Sequence, residues 1–145
     1  MAHIKYDEKS CGVVLFREKE GQNHFLVLHY PGGHWDLVKG HVEGDETEQE
    51  TATRELLEET GIADITYVEG FRQEISYKYY NGHDFKPAKL SNKQVVFFLG
   101  KTELEDIHLS HEHKDFIWLP YDEAVEKLTF ENAKNLVRKG KAFLG

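Results

Sequence analysis

Three glutamates on one short segment are the residues of this chain with the clearest chemical potential. Glu58 and Glu59 follow Glu55 by three and four positions, a spacing that places side chains on one face of an α-helix. Arg54, four residues before Glu58, neutralises only part of this charge. Carboxylate and phosphate oxygens are the ligands that Mg²⁺ prefers. The cluster therefore indicates either a solvated acidic helix face or a metal site for phosphate chemistry.

A single helix must carry these glutamates. Thr47 followed three residues later by Glu50 predicts a capping-box start, and Gly61 predicts the C-terminal stop. The stretch between them allows about four helical turns. Ala52 and Leu56 lie along one side of this helix and would dock it onto a core. The glutamates would then be held on a rigid element rather than on a loop.

The residues around the helix help to distinguish a solvated acidic face from a metal site. From Gly40, in the predicted turn of residues 39–41, the sequence runs Gly-x5-Glu-x7-Arg-Glu-Leu-x-Glu-Glu-x-Gly-Ile. This pattern resembles the signature of the Nudix hydrolases at every fixed position. The resemblance implies an α/β fold, an α/β/α sandwich with a mixed β-sheet between helices and a loop-helix-loop catalytic motif. It also implies that the Gly40 carbonyl joins Glu55, Glu58 and Glu59 as metal ligands.

The rest of the chain alternates between apolar runs and turn signals in a way that agrees with such a sandwich. The predicted strands span 11–16, 24–30, 65–80 with an interruption at Gly70, 94–100 and 116–119. The first two strands are predicted to form a hairpin. Short helices are predicted over 122–128 and 130–144, the latter capped by Thr129. Residues 30–35 and 83–92 are predicted loops.

Composition limits the classes of function. At 145 residues the chain fits one domain, residues 1–145. Its net charge of −8 disfavours long nucleic acid as a partner. The longest apolar run, residues 95–99, is too short to span a membrane. A single cysteine, Cys11, suits a reducing, cytoplasmic location. No protein partner is implied.

Three further stretches resemble one group within the family, the asymmetrical diadenosine tetraphosphate hydrolases. They are YPGGHWDLVKGHVE at 30–43, KQVVFFL at 93–99 and SHEHKDFIWL at 110–119. The chain departs from that group at Val38, where its members usually carry proline. The resemblance implies that Lys39, His34 and Lys93 orient phosphates. It further implies that Tyr77 and Phe130 enclose an adenine, with Tyr79 as a substitute for Tyr77. Tyr30 is a further aromatic candidate for substrate binding.

Glu112 lies between His111 and His113. Two histidines beside a carboxylate suggest zinc, but the His-x-His spacing matches no pair of ligands on a helix face. The resemblance instead implies that Glu112 reaches the metal site from a loop, as a ligand or as the general base. We therefore assign no role to either histidine, and leave the base open between Glu55 and Glu112.

These observations predict an Mg²⁺-dependent hydrolase, with Mn²⁺ as a possible substitute. It would split a dinucleoside tetraphosphate into ATP and AMP by in-line attack of a metal-activated water on phosphorus. The alternatives are another Nudix activity, on RNA 5′ ends, nucleoside triphosphates or ADP-ribose, and a Nudix domain that binds nucleotides without catalysis. The intact set of motif glutamates disfavours the second alternative. A calcium-binding module is discounted because the EF-hand pattern is missing from the sequence.

Overall fold

The computed structural model describes residues 6–80, 87–109 and 115–145. Its strands are β1 (Glu8–Lys19), β2 (Gln22–His29), β3 (Trp35–Asp36), β4 (Val38–His41), β5 (Thr66–Tyr67), β6 (Gln73–Tyr80), β7 (Leu90–Lys101) and β8 (Asp115–Pro120). Its helices are α1 (Glu48–Thr60), α2 (Tyr121–Lys127) and α3 (Glu131–Leu144). Residues 65–80 allowed one long strand or two short strands interrupted at Gly70, and the structure has two, β5 and β6.

The described strands form one mixed sheet. Its main order is β3-β2-β1-β7-β5, while β4 pairs with β1, β6 with β7 and β8 with β2. β1 and β7 run parallel, and the other pairs are antiparallel. The predicted β1–β2 hairpin is confirmed, with Phe16 opposite Phe25. β1 is therefore the central strand of the sheet, and it pairs with β2, β4 and β7.

Alternating side chains on β1 build two cores on opposite faces of the sheet. Val13 and Leu15 belong to a buried cluster that contains Leu56 of α1. Val14 and Phe16 belong to the other cluster, which contains buried residues of α2 and α3. Each face is thus closed by helices, which confirms the α/β/α sandwich. No helix in the described ranges is both long and apolar enough to cross a membrane.

The glutamate-bearing helix forms as its end signals predict. The Thr47 hydroxyl accepts the Glu50 N–H at 3.1 Å, and the Glu50 carboxylate accepts the Thr47 N–H at 2.8 Å. Gly61 ends the helix in the left-handed region, at φ 76°. Ala52 and Leu56 are fully buried. The predicted capping box, stop and docking face of α1 are all confirmed.

Three local predictions were wrong, each because a tertiary partner decides the conformation. Residues 35–36 and 38–41 form strands β3 and β4, not a loop and a glycine turn, since β4 pairs along β1 with Cys11 opposite Gly40. β7 begins at Leu90, inside the predicted loop, because Leu90 pairs with Tyr80. Thr129 does not cap α3. Its hydroxyl accepts the Trp35 N–H at 2.8 Å, and its own N–H donates to the Trp35 carbonyl at 3.0 Å.

Candidate active site

The glycine that opens the motif is required for space. Gly40 lies within strand β4, and a Cβ added to it would lie 1.9 Å from the Glu55 Cδ. A side chain there would displace the Glu55 carboxylate, which packs directly on the Gly40 backbone. A carboxylate and a strand backbone are thereby brought together, as the motif predicts for Gly40 and Glu55.

Arg54 makes contacts well beyond the predicted ion pair with Glu58. Its Nε donates to one Glu46 carboxylate oxygen at 2.7 Å, and one terminal nitrogen donates to the other at 3.1 Å and to the His41 carbonyl at 2.8 Å. The second terminal nitrogen donates to Glu55 at 2.9 Å and to Glu58 at 3.1 Å. Arg54 therefore ties the helix to the segment that enters it. The sequence spacing indicated only the Glu58 contact.

The carboxylates around Arg54 differ in their protonation energetics. Hydrogen bonds from Arg54 lower the pKa of Glu46 to about 2. The pKa of Glu55 is instead raised, because burial disfavours its charged form more strongly than Arg54 favours it. Glu59 is only 6% exposed, whereas Glu58 is exposed. The three motif glutamates share one helix but not one environment.

The donor set suits a hard divalent ion. The Gly40 backbone lies against the Glu55 carboxylate, and Glu58 and Glu59 supply further oxygens on the same helix. Carboxylate and backbone carbonyl oxygens are the ligand chemistry of Mg²⁺. Within the described ranges, no three His, Cys, Asp or Glu side chains converge closely enough to hold an ion. Arg54 contacts two of these carboxylates instead. Glu112, His111 and His113 lie outside the described residues.

A cavity of about 310 Å³ lies on the face of the sheet opposite α1, and three of the predicted substrate-site residues line it. Lys39, Tyr77 and Phe130 line it, although they come from β4, β6 and the N-cap of α3. Its other lining residues are Asp36, Ile75, Val95, Phe97, Asn132, Ala133 and Leu136. An apolar wall with two exposed rings and one lysine suits a base attached to a phosphate chain.

Strand β4 separates the cavity from the carboxylates. Side chains of successive strand residues point to opposite faces, so Lys39 lines the cavity while Gly40 faces Glu55 on α1. β4 pairs with β1, and its other edge pairs with no strand in the described part of the chain. A molecule that reaches both the cavity and the carboxylates would cross this edge.

Two predicted phosphate contacts adjoin the cavity without lining it. The His34 ring stacks on Tyr30, with centroids 5.0 Å apart, and lies 5.4 Å from the Phe130 ring. The Tyr30 ring is itself fixed, because its hydroxyl donates to the Leu37 carbonyl at 2.7 Å. Lys93 is opposite Tyr77 in the β6–β7 pairing. Of the predicted candidates, Lys39, Tyr77 and Phe130 therefore line the cavity, and His34, Tyr30 and Lys93 lie next to these residues.

Tyr77 and Tyr79 differ in what their side chains do. Their rings lie 6.0 Å apart, but Tyr77 lines the cavity and Tyr79 does not. The Tyr79 hydroxyl donates to the Glu8 carboxylate, which raises the pKa of Tyr79 to about 12. The geometry favours Tyr77 over its predicted substitute Tyr79 as a stacking residue.

Two residues of the cavity wall, Asp36 and Asn132, were not predicted from the sequence. Asp36 is 5% exposed, and a buried acid beside the predicted phosphate contacts is unexpected. Its position three residues before Lys39 was a signal, because that spacing allows an ion pair between the two. Asn132, two residues after Phe130 and on the first turn of α3, carried no comparable signal.

Comparisons with known proteins show the family to which this chain belongs. The sequence matches the family model of the NUDIX domain over residues 7–139. A pig protein named bis(5′-nucleosyl)-tetraphosphatase (asymmetrical) is 34% identical, with 94% of this chain and 95% of the relative covered. A protein of the same name from Caenorhabditis elegans is 33% identical over 94% and 96%. The crystal structure of a C. elegans Ap4A hydrolase binary complex superimposes with a TM-score of 0.80 at 32% identity, covering 94% of this chain and 97% of that one.

Proposed function

Because this chain is a Nudix hydrolase, we propose that it hydrolyses dinucleoside polyphosphates and cleaves diadenosine tetraphosphate to ATP and AMP. The observation that carries this proposal is the cavity lined by Tyr77, Phe130 and Lys39, next in the chain to Gly40, which contacts the motif glutamate Glu55. The relatives named as asymmetrical tetraphosphatases, which align along almost the whole chain, support the same substrate class.

We propose that Gly40, Glu55, Glu58, Glu59 and Glu112 hold Mg²⁺, with Mn²⁺ as a possible substitute. A bound divalent ion would lower the pKa of a water molecule and neutralise charge that develops on the phosphates. The Arg54 contacts hold Glu55 and Glu58 in the arrangement described above. The carboxylates of Glu55 and Glu58 would give up part of their contact with Arg54 when they bind the ion.

The chain's own residues would divide the remaining work between binding and proton transfer. Tyr77 and Phe130 would hold one adenine between their rings, while Lys39, Lys93 and His34 orient the phosphates over the edge of β4. Glu55 and Glu112 are the two candidates for the general base.

The position of the bound adenine would decide which phosphorus is attacked. With the adenine held in the cavity, the phosphate chain has one favoured register over the carboxylates. We expect water to attack the phosphorus that ends in AMP, because ATP is the better leaving group. Cleavage would then be asymmetric.

Product analysis in ¹⁸O-water across a nucleotide panel tests this proposal. With diadenosine tetraphosphate and Mg²⁺ or Mn²⁺, mass spectrometry should find ATP and AMP, with the label in AMP. Label in ATP would reverse the direction of attack. Two ADP as products, or faster hydrolysis of ADP-ribose, a nucleoside triphosphate or a 5′-triphosphorylated RNA, would overturn the substrate assignment.

The adenine contact has its own test with a matched control. Stacking of a base on one ring is worth about 1–3 kcal/mol, so Phe130→Ala or Tyr77→Ala should raise KM roughly five- to a hundredfold. Phe143 is as exposed as Phe130, 49% in both cases, but it packs against Phe71 at the far end of α3. Phe143→Ala should leave KM unchanged. An equal rise in KM for both phenylalanine variants would contradict the stacking role.

Two expectations from composition belong to the same proposal. We propose a cytoplasmic location, which is supported by a lone cysteine that is buried in β1. We also propose that small nucleotides, rather than long nucleic acid or another protein, are the binding partners. The net charge of −8 supports the exclusion of long nucleic acid. Fractionation of cells that express the tagged chain would test the location.

A further inference from the structure

The cavity wall contains a buried acid for which the proposed reaction has no use. Asp36 is 5% exposed and lines the space where a nucleotide would bind. A negative charge there opposes the binding of a polyanion, and a buried carboxylate is costly unless it is paired. Its presence therefore needs a physical reason beyond substrate attraction.

Both carboxylate oxygens of Asp36 have partners. Oδ1 accepts the Leu37 N–H at 2.7 Å, and Oδ2 lies 3.3 Å from the Lys39 ammonium. The backbones of both residues are fixed by pairing, Asp36 with Leu28 and Lys39 with Gly12. The carboxylate is thus rigidly placed, and it contacts the end of a flexible lysine side chain.

A second lysine adds to the charge in the same place. Lys93 is half-buried, and its pKa is lowered first by burial and then by the nearby Lys39 ammonium. Glu8 and Asp36 oppose this effect. Two ammonium groups that face one phosphate chain would repel each other without a fixed negative charge between them.

We infer that Asp36 is a positioning residue that fixes the Lys39 ammonium at the cavity wall, in the place where it meets the phosphate chain. This inference rests on the proposed function and adds a residue that determines how well that function works. A lysine side chain loses considerable rotamer freedom when it is held in one geometry. The Asp36 contact would bring about this loss before the substrate arrives.

Removal of the Asp36 charge should have opposite effects on catalysis and on binding. The loss of positioning lowers kcat, whereas the loss of a negative charge favours binding of the substrate. Asp36→Asn keeps an acceptor for the Leu37 N–H but weakens the hold on Lys39. We expect kcat to fall by about ten- to a hundredfold, because small displacements of orienting groups have effects of that size. KM should stay constant or fall, because one negative charge has left the site. A purely structural defect would instead raise KM and lower the melting temperature.

A double-mutant cycle with Lys39 is the decisive experiment. If Asp36 acts through Lys39, Asp36→Asn should change kcat by no more than about twofold in a Lys39→Ala background. A full loss in that background would overturn the inference. The cycle uses whichever nucleotide the wild-type enzyme hydrolyses fastest. Failure of the tetraphosphate assignment would therefore appear in the product analysis and not in the cycle.

Two additional variants complete the test. Asp64 also accepts a backbone N–H, from Glu103 at 3.1 Å, but it lies away from the cavity. Asp64→Asn should leave kcat unchanged, and a loss equal to that of Asp36→Asn would overturn the inference. Asp36→Glu keeps the charge but moves it by one methylene. Its kcat should lie between those of wild type and Asp36→Asn, and a value below Asp36→Asn would also overturn it.

Discussion

Helix α1 carries two networks of charged side chains that differ in their balance. At its first turn, Glu48 contacts Lys9 at 2.7 Å and Arg72 at 2.8 Å, and Arg72 also contacts Glu74 at 3.5 Å. Further along, one guanidinium, that of Arg54, lies within 3.6 Å of Glu43, Glu46, Glu55 and Glu58. The first network pairs two cations with two carboxylates, whereas the second leaves a clear excess of negative charge.

The difference in charge balance indicates a structural role for the Glu48 network and a candidate metal site at the Arg54 network. A balanced network is complete within the protein and joins α1 to β1 and β6. An excess of buried and half-buried carboxylates is costly unless further cations arrive. Within the second network the pKa of Glu55 is raised, mainly by burial, although Arg54 contacts it, whereas Arg54 lowers the pKa of Glu46 to about 2. At Glu48 the hydrogen bonds from Arg72 prevail and lower the pKa to about 2.

The largest expected difference between the two networks is catalytic. Glu59→Gln should lower kcat by a factor on the order of a thousand or more, because it removes a proposed metal ligand from a site that depends on it. Glu48→Gln is the matched control on the same helix, and its kcat should equal that of wild type. Steady-state rates with Mg²⁺ measure both. Full activity of the wild type in excess EDTA would refute the metal requirement.

A second catalytic difference concerns the carboxylate proposed to approach from outside the helix. Glu112→Gln should lower kcat on the order of a hundredfold or more, because it removes a proposed metal ligand that is also a candidate general base. His111→Ala and His113→Ala, its immediate neighbours, should have little effect. If the histidine variants were the more damaging, a zinc-type site would replace this assignment.

Ion binding itself should distinguish the networks in the absence of substrate. A divalent ion that binds only the folded state at a hundred times its Kd stabilises that state by about 2.7 kcal/mol. Calorimetry with and without Mg²⁺ should therefore show a higher melting temperature for the wild type. Glu59→Gln should lose most of this increase, and Glu48→Gln should retain it. An equal increase in the two variants would place the ion elsewhere.

The comparison also shows which features a sequence can predict. The capping box, the stop at Gly61 and the shared helix face depend on residues within a few positions of one another, so their spacing predicted α1 correctly. Strand β4 and the Thr129–Trp35 hydrogen bonds depend on partners from distant segments, and local turn and cap signals gave the wrong result there. The contacts of Arg54 are partly predictable, since helical spacing sets its contact with Glu58 but not its other contacts.

The candidate site divides in the same way. The family pattern predicted Lys39, Tyr77 and Phe130, and the folded chain places them around one cavity. It did not predict Asp36, whose contact with Lys39 forms when β2 fixes the backbone of β3 and β1 fixes that of β4. The position of the cavity relative to the glutamates, across the edge of β4, likewise follows from the sheet and not from any spacing in the motif.

The smallest expected effect is on stability, at the balanced network. The Glu48 side chain is 25% exposed, and its pKa falls from the ordinary 4.5 to about 2 through Arg72. With allowance for solvent screening, Glu48→Gln should lower the free energy of unfolding by about 1–2 kcal/mol at neutral pH. A depressed folded-state pKa gives stability that is present above 4.5 and lost as the pH falls towards 2. The difference between wild type and Glu48→Gln in urea unfolding should therefore shrink across that window. A difference that stayed constant down to pH 2 would mean that the carboxylate charge is not what stabilises this end of α1.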